Sequence, residues 1–113
     1  MTRGEIWWAD FDIPFGSEPG FNRPVLILQA DAINKSKINT IIVIPFSTNL
    51  LLENAPGNVF VDKDESKLSK DSVLVVSQIS TIDKTRLIKF ENKVTQNIMN
   101  SVENGLKIIL EIE

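Results

Sequence analysis

The chain contains no cysteine and no histidine. Without cysteine there are no disulfides, thiolate nucleophiles or zinc–thiolate sites. Without histidine the commonest general base and metal ligand is missing, which excludes Ser-His-Asp, Cys-His and paired-histidine ribonuclease chemistry. Long apolar runs are lacking as well. Val25 to Leu28 and Ile41 to Ile44 are strand-sized, well short of the roughly 20 residues a membrane-spanning helix needs. The charged start Met1-Thr2-Arg3-Gly4-Glu5 and the brief apolar stretch Ile6 to Ala9 do not make a signal peptide, so a cytoplasmic location away from membranes is expected. An excess of positive charge is missing too: 12 basic against 15 acidic side chains leave a net charge of −3, unlike a generic nucleic-acid coat protein. Repeats and low-complexity tracts are absent.

What remains suits one soluble domain over residues 1–113, with 42% hydrophobic and 24% charged residues. Such a length buries enough surface for one core without covalent staples. Glu5 to Phe11, rich in Ile, Trp and Phe, reads as a first strand, and its adjacent Trp7 and Trp8 point to opposite faces. The segment Asp12 to Asn22, with two prolines and two glycines, reads as a long irregular connection of the kind that is more often functional than accidental. Val25 to Gln29 predicts a second strand, and Thr40 to Ile44 a third that is covered on both faces and stops at Pro45. Asn58 to Val61 and Ser72 to Ile79 predict a fourth and a fifth, with the charged turn Asp62 to Asp71 between them and a turn at Thr81 to Lys84. Leu87 to Lys93 alternates as a half-exposed strand. Ile98, Val102, Leu106 and Ile109 then step at helical period, with Thr95 as N-cap. Gly105 inside that helix should cost about 0.5–1 kcal/mol relative to Ala. Short strands with one terminal helix predict a mainly β fold with helices, a small curled barrel of five or six strands flanked by the C-terminal helix.

The chemistry left to such a chain is that of carboxylates, Arg, Lys, hydroxyls and amides. If the second and third strands pair antiparallel, Arg23 lies near Ser47. A guanidinium beside a hydroxyl, approached by a carboxylate such as Glu18, suits an oxyanion or phosphate. The same residues also suit a strand-end turn at Ser47-Thr48-Asn49 and an exposed rim charge at Arg23. The charge is uneven: residues 1–31 carry 2 basic and 5 acidic side chains, whereas residues 63–93 carry 7 basic and 5 acidic. A locally basic face can thus exist on an acidic protein; equally, these lysines can simply solvate a turn and a strand face.

The segments Arg3 to Phe11, Gly16-Ser17-Glu18, Gly20 to Ile27, Ile44 to Asn49, Leu68 to Val73, Ser77-Gln78-Ile79 and Thr81 to Leu87 resemble, in order and spacing over nearly the whole chain, the MazF/PemK (Kid-like) toxins. The resemblance implies an SH3-like β-barrel with helices, a homodimer, and a sequence-specific, ribosome-independent endoribonuclease toxin. It also implies a cognate MazE-like antitoxin whose acidic arm covers the groove for single-stranded RNA. The family's arginine falls on Arg23, its catalytic hydroxyl on Ser47, where many members have Thr, and its loop acid on Glu18. Arg23 and Ser47 would hold the scissile phosphate while the RNA 2′-OH attacks it, giving a 2′,3′-cyclic phosphate and a 5′-OH. Glu18 would be the base, or would hold a nucleobase, or would simply be solvated. Substrate contacts are expected from Ser17, Phe15, Phe21, Phe46, Thr48, Asn49 and Gln78. The phenylalanines are candidates for stacking on bases and equally for core packing. Val75, Ser77 and Ser17 stand where Kid-like members place Arg, Asp and His, so the Kid-type acid–base set is absent. No metal or other cofactor is expected. A CcdB-like gyrase poison or a protein-binding barrel of the same fold is the alternative, though the end Leu110-Glu111-Ile112-Glu113 lacks the poisons' Trp-Gly-Ile-type terminus.

Overall fold

A computed structural model describes residues 1–12, 16–17 and 21–113. In chain order the elements are β1 (Glu5–Asp10), β2 (Asn22–Ile27), the single turn α1 (Asp31–Asn34), β3 (Thr40–Ser47), β4 (Val59–Val61), the single turn α2 (Lys63–Ser66), β5 (Ser72–Leu74), β6 (Ser80–Asp83), β7 (Leu87–Lys93) and α3 (Gln96–Leu110). Short 3-10 turns cover Leu50–Asn54, Val76–Gln78 and Lys84–Arg86. The strands form one seven-stranded sheet in the order β4-β5-β3-β2-β1-β7, with β6 also on β3. The class is the expected β with helices. Among the described residues the strands number seven rather than five or six, and the sheet is curled but open, since its path ends at β4 and β7.

The alternation of side chains sends each inner strand's residues into two separate cores. Ile6, Leu26, Ile44 and Phe46 face α3 and pack with Ile98, Met99 and Val102. Ala9, Val25, Ile27, Ile41, Val43 and Ile82 fill the other side of the curl. Trp8 joins the first group and Trp7 the second, each only half-buried. Trp7 meets Phe90 edge-on with ring centroids 6.0 Å apart, a favoured aromatic geometry. Two bulges in the β1–β7 ladder, after Ile6 and after Trp8, add to the curl.

Three elements differ from the sequence-based expectation, each for a hydrogen-bonding reason. β2 begins at Asn22, with Pro24 inside it opposite Trp8. Its ladder with β3 starts only at Val25, so the missing Pro24 N–H costs that ladder nothing. β3 continues through Pro45 to Ser47, because the Pro45 carbonyl still accepts the Val75 N–H at 2.9 Å. The expected fifth strand, Ser72 to Ile79, is strand only as far as Leu74, and a second strand follows it. β5 pairs with Phe46 and Ser47, the 3-10 turn Val76–Gln78 interrupts the ladder, and β6 resumes it against Thr40 to Val43. The expected turn at Thr81 to Lys84 is therefore mostly strand.

α3 begins at its expected cap: the Thr95 side chain accepts the Ile98 N–H at 3.3 Å. Gly105 is explained by a close approach. A Cβ at this position would collide with the carbonyl oxygen of Gly57, itself at φ +85°, so the helix lies directly on the 55–58 turn. Glu5 ties down the N-terminus. Burial raises its carboxyl pKa, but hydrogen bonds from the Trp7 indole and from Thr2, with the nearby N-terminal charge, outweigh this and hold it below its ordinary 4.5.

Two outcomes follow. Propensity alone makes Gly105→Ala stabilising, whereas the Gly57 contact makes it destabilising by about 1–3 kcal/mol, the usual cost of overpacking; urea unfolding reads the sign. A depressed carboxylate adds stability that is present above its unfolded pKa and lost as pH falls through the folded one. Glu5→Gln should thus flatten the loss of stability that wild type shows as pH drops below 4.5.

Candidate active site

The antiparallel register brings Arg23 and Ser47 to one end of adjacent strands. Val25 faces Pro45 and Leu26 faces Ile44; continued outward, the same register sets Arg23 across from Ser47. Arg23 Nη1 donates to the Phe46 carbonyl at 3.5 Å, so the guanidinium lies over the end of β3, half-buried. On its other edge Arg23 faces Ala9 of β1. Ser47 Oγ accepts the Asn49 N–H at 3.2 Å, and the Asn49 side chain in turn accepts the Leu51 N–H at 3.3 Å. The turn leaving β3 is thereby closed by its own side chains, an arrangement typical of Ser and Asn. The Ser47 hydroxyl hydrogen is left for another acceptor. Thr48 and Asn49 are exposed beside it.

Other expected site residues are placed differently. Phe46 is 1% exposed and belongs to the core under α3. Its ring cannot stack on a base there; only its carbonyl reaches the site. The reason is parity: Ser47 faces outward at the strand end, so its neighbour faces inward. Phe21 is the opposite case, 64% exposed with a left-handed backbone, φ +59°. Gln78 is committed within the protein, its Nε2 donating to the Ser17 carbonyl at 3.2 Å. Gln78 belongs to the turn between β5 and β6, on the edge of β3 away from β2. Ser17 therefore meets a residue from beyond β3. Phe15 and Glu18 lie outside the described residues. Val75 is buried, and the Ser77 hydroxyl and N–H both face Asn58 Oδ1.

The basic residues of the 63–93 stretch do not form one face. Lys63 and Lys70 border a shallow recess of about 400 Å³ with Thr48, Leu50, Ser69 and Asp71, next to Ser47. Lys84 is instead a structural tie, its Nζ donating to the Asn34 carbonyl at 3.0 Å. Arg86 is also engaged, donating from Nη1 to the Asp10 carbonyl at 3.0 Å and to Asp12 Oδ2 at 2.6 Å. The hydrogen bond that Arg86 donates to Asp12, and then the charge of that carboxylate, raise the Arg86 pKa above its ordinary value. In the sequence Arg86 is one of seven basic residues of its stretch and part of a segment that carries the family resemblance; nothing local signals a partner 74 residues away.

Among the described residues, no group of three or more Asp and Glu side chains gathers as a metal site, and no helix is long and apolar enough to cross a membrane. What the structure brings together at the end of β3 is an arginine and a hydroxyl, donors of a kind that suits a tetrahedral anion.

The fold is that of a small β+α domain, a curled antiparallel sheet with one long C-terminal helix. MazF from Deinococcus radiodurans superposes with a TM-score of 0.81 at 20% identity, over 98% of this chain and 96% of that one. Mycobacterium tuberculosis toxin MazF-mt6 gives 0.80 at 19%, over 96% and 98%. A mycobacterial endoribonuclease in complex with its cognate antitoxin gives 0.78 at 21%, over 100% and 97%. At the level of sequence, endoribonuclease MazF6 of M. tuberculosis is 38% identical over 99% of this chain and 98% of its own length. Endoribonuclease MazF of Staphylococcus saprophyticus is 37% identical over 97% and 91%. The model of the PemK-like, MazF-like toxins of type II toxin–antitoxin systems matches residues 2–110. The chain belongs to that family.

One outcome follows from the geometry of the β3 end. Asn49→Ala removes the acceptor that closes the Leu50–Asn54 turn and should cost about 0.5–2 kcal/mol, as other N-cap losses do, measured by thermal unfolding.

Proposed function

We propose that this protein is a toxin endoribonuclease that cuts single-stranded RNA by using the RNA's own 2′-OH, leaving a 2′,3′-cyclic phosphate and a 5′-OH, and that a MazE-like antitoxin neutralises it. The observation that carries the mechanism is the placement of Arg23 beside the end of β3, one strand from Ser47. Arg23 offers a planar fork of donors to the two non-bridging phosphate oxygens. Ser47 donates its free hydroxyl hydrogen to a phosphate oxygen as negative charge builds on the phosphorane. Donors set in place on strands need no reorganisation at the moment of reaction, and such electrostatic preorganisation is commonly the largest catalytic term. Holding the 2′-OH in line with the leaving 5′-oxygen supplies much of the rest. The route needs neither histidine nor cysteine, which this chain lacks. Glu18 is the proposed base. Thr48 and Asn49, which follow Ser47 directly, are proposed RNA contacts together with Phe21, Ser17 and Gln78, the last two having to exchange their mutual bond for RNA.

The protein is proposed to act in the cytoplasm as a homodimer. Leu28, Ile33, Ile38, Ile42, Ile79, Leu106 and Leu110 line an apolar groove of about 450 Å³ along α3. Of these, Ile33, Ile38 and Leu110 are exposed in the single chain. An apolar strip of this kind on a small domain marks an interaction surface, and a second copy is the partner proposed for it.

Purified protein incubated with mixed single-stranded RNAs in the presence of a chelator should yield discrete fragments with 5′-OH ends. A DNA strand carrying a single ribonucleotide within the recognised sequence should be cut only there, and cleavage of an all-DNA strand would refute the 2′-OH route. Arg23→Ala should lower the rate on the order of 10²–10³-fold or more, the scale seen when one preorganised donor is lost. Ser47→Ala should be impaired and Ser47→Thr active. Leu110→Asp should shift the protein to monomer mass in analytical ultracentrifugation; an unchanged mass would remove α3 from the interface.

A further inference from the structure

The end of the β1–β2 hairpin is held in an unusual way. Asp12 and Phe21 both have left-handed backbones, φ +58° and +59°, a conformation that a bulky residue such as Phe rarely adopts. They face each other across the hairpin: the Phe11 N–H donates to the Phe21 carbonyl and the Phe21 N–H to the Asp12 carbonyl. Strained backbone of this sort persists only where its surroundings hold it. Within the hairpin the Asp12 N–H donates to Asp10 Oδ1 at 2.8 Å; the hold from outside it comes from Arg86, on the turn between β6 and β7, which grips the Asp10 carbonyl and the Asp12 carboxylate with the same Nη1. Phe21 is separated from Arg23 only by Asn22, so the conformation locked at Asp12 and Phe21 sets how β2 begins, and with it the direction in which Arg23 leaves the sheet.

The pair is a surface one: the Arg86 side chain is 39% exposed and that of Asp12 63%. Exposed ion pairs add little to global stability, and two bonds to one short segment fix local geometry more than they resist unfolding. Arg86 is also a poor candidate for a direct phosphate contact, because Asp12 already neutralises its charge.

We propose that Arg86 is a positioning residue for the RNA-cleaving site, acting through Asp12 to hold Phe21 and the start of β2 so that Arg23 and the exposed Phe21 ring are aligned for the substrate. The proposal rests on the endoribonuclease reading above. A structural strut alone would change stability. A positioning residue changes catalysis, and does so only as long as its partner is present.

The test compares Arg86→Ala, Asp12→Asn and the double variant. Asp12→Asn keeps a side chain that tolerates the left-handed backbone. Amide hydrogen exchange at Phe11 and Phe21 reads the clamp directly, without reference to activity. It should speed up at least tenfold in each single variant, while exchange in β3 and the thermal midpoint stay close to wild type. On an RNA oligonucleotide that the wild type cuts, each single variant should lose about 10–100-fold in kcat/KM, and the double variant should lose no more than either alone, since residues acting as one unit are non-additive. Arg86→Lys, which keeps the charge but not the fork, should recover part of the loss. Unchanged exchange at Phe11 and Phe21 in Arg86→Ala overturns the proposal. So do additive losses accompanied by a drop of about one in the salt dependence of RNA binding, which would assign Arg86 to a phosphate. If the wild type cuts no RNA, the endoribonuclease reading fails on its own, while the exchange measurement still decides whether Arg86 is the clamp.

Discussion

Everything in this protein hangs on the pairing of β3. One of its edges takes β2 and the other takes β5 and β6, so its backbone is committed along almost its whole length. Its two faces feed the two cores, Ile44 and Phe46 toward α3, Ile41 and Val43 into the curl. A strand so constrained cannot slip, because a shift of one residue would exchange its faces and expose one of the cores. The register with β2 is therefore rigid, and the placement of Arg23 against the end of β3 is a consequence of that rigidity. A reactive group set on such a strand end is held far more closely than one carried on a loop.

The curl and the site share a cause in the 3-10 turn Val76–Gln78. It breaks the partner of β3 into β5 and β6 and points Gln78 toward Ser17. The turn Lys84–Arg86 at the other end of β6 points Arg86 toward Asp12. Two turns bracketing one short strand thus reach two separate points of the β1–β2 connection. The polar surface around Arg23 owes its arrangement to these contacts, while the apolar surface along α3 is set by Gly105 resting on Gly57. The faces proposed for RNA cutting and for a second copy occupy different parts of a 113-residue chain because α3 covers only one side of the sheet.

The acidic balance of the whole chain is compatible with an anionic substrate, since a bound phosphate feels the local potential rather than the net charge. Arg23 is half-buried at the strand end and Lys63 and Lys70 flank the neighbouring recess. Lys84 and Arg86 are engaged elsewhere by Asn34 and Asp12, so not every member of the basic stretch of residues 63–93 is free for the proposed site. The relatives in the MazF-like toxin family extend over nearly the whole chain, which leaves the gyrase-poison alternative without support.

Much was legible from residues alone. The β-branched run Thr40 to Ile44, the alternation of Leu87 to Lys93 and the helical period from Ile98 to Ile109 each reflect a burial pattern that local sequence must encode. Thr95 as a cap and the nearness of Arg23 to Ser47 follow from equally local rules, one of hydrogen bonding and one of antiparallel pairing. The lack of histidine and cysteine limits the chemistry with no structure needed. Only the tertiary structure decided that Phe46 is core, that Pro45 lies within β3, that the partner of β3 is two strands, and that Gly105 is required by Gly57. It alone paired Arg86 with Asp12 and Gln78 with Ser17. These are contacts between segments far apart in the chain, and no periodicity or propensity carries information about which distant groups the folded sheet will bring within a hydrogen bond of each other.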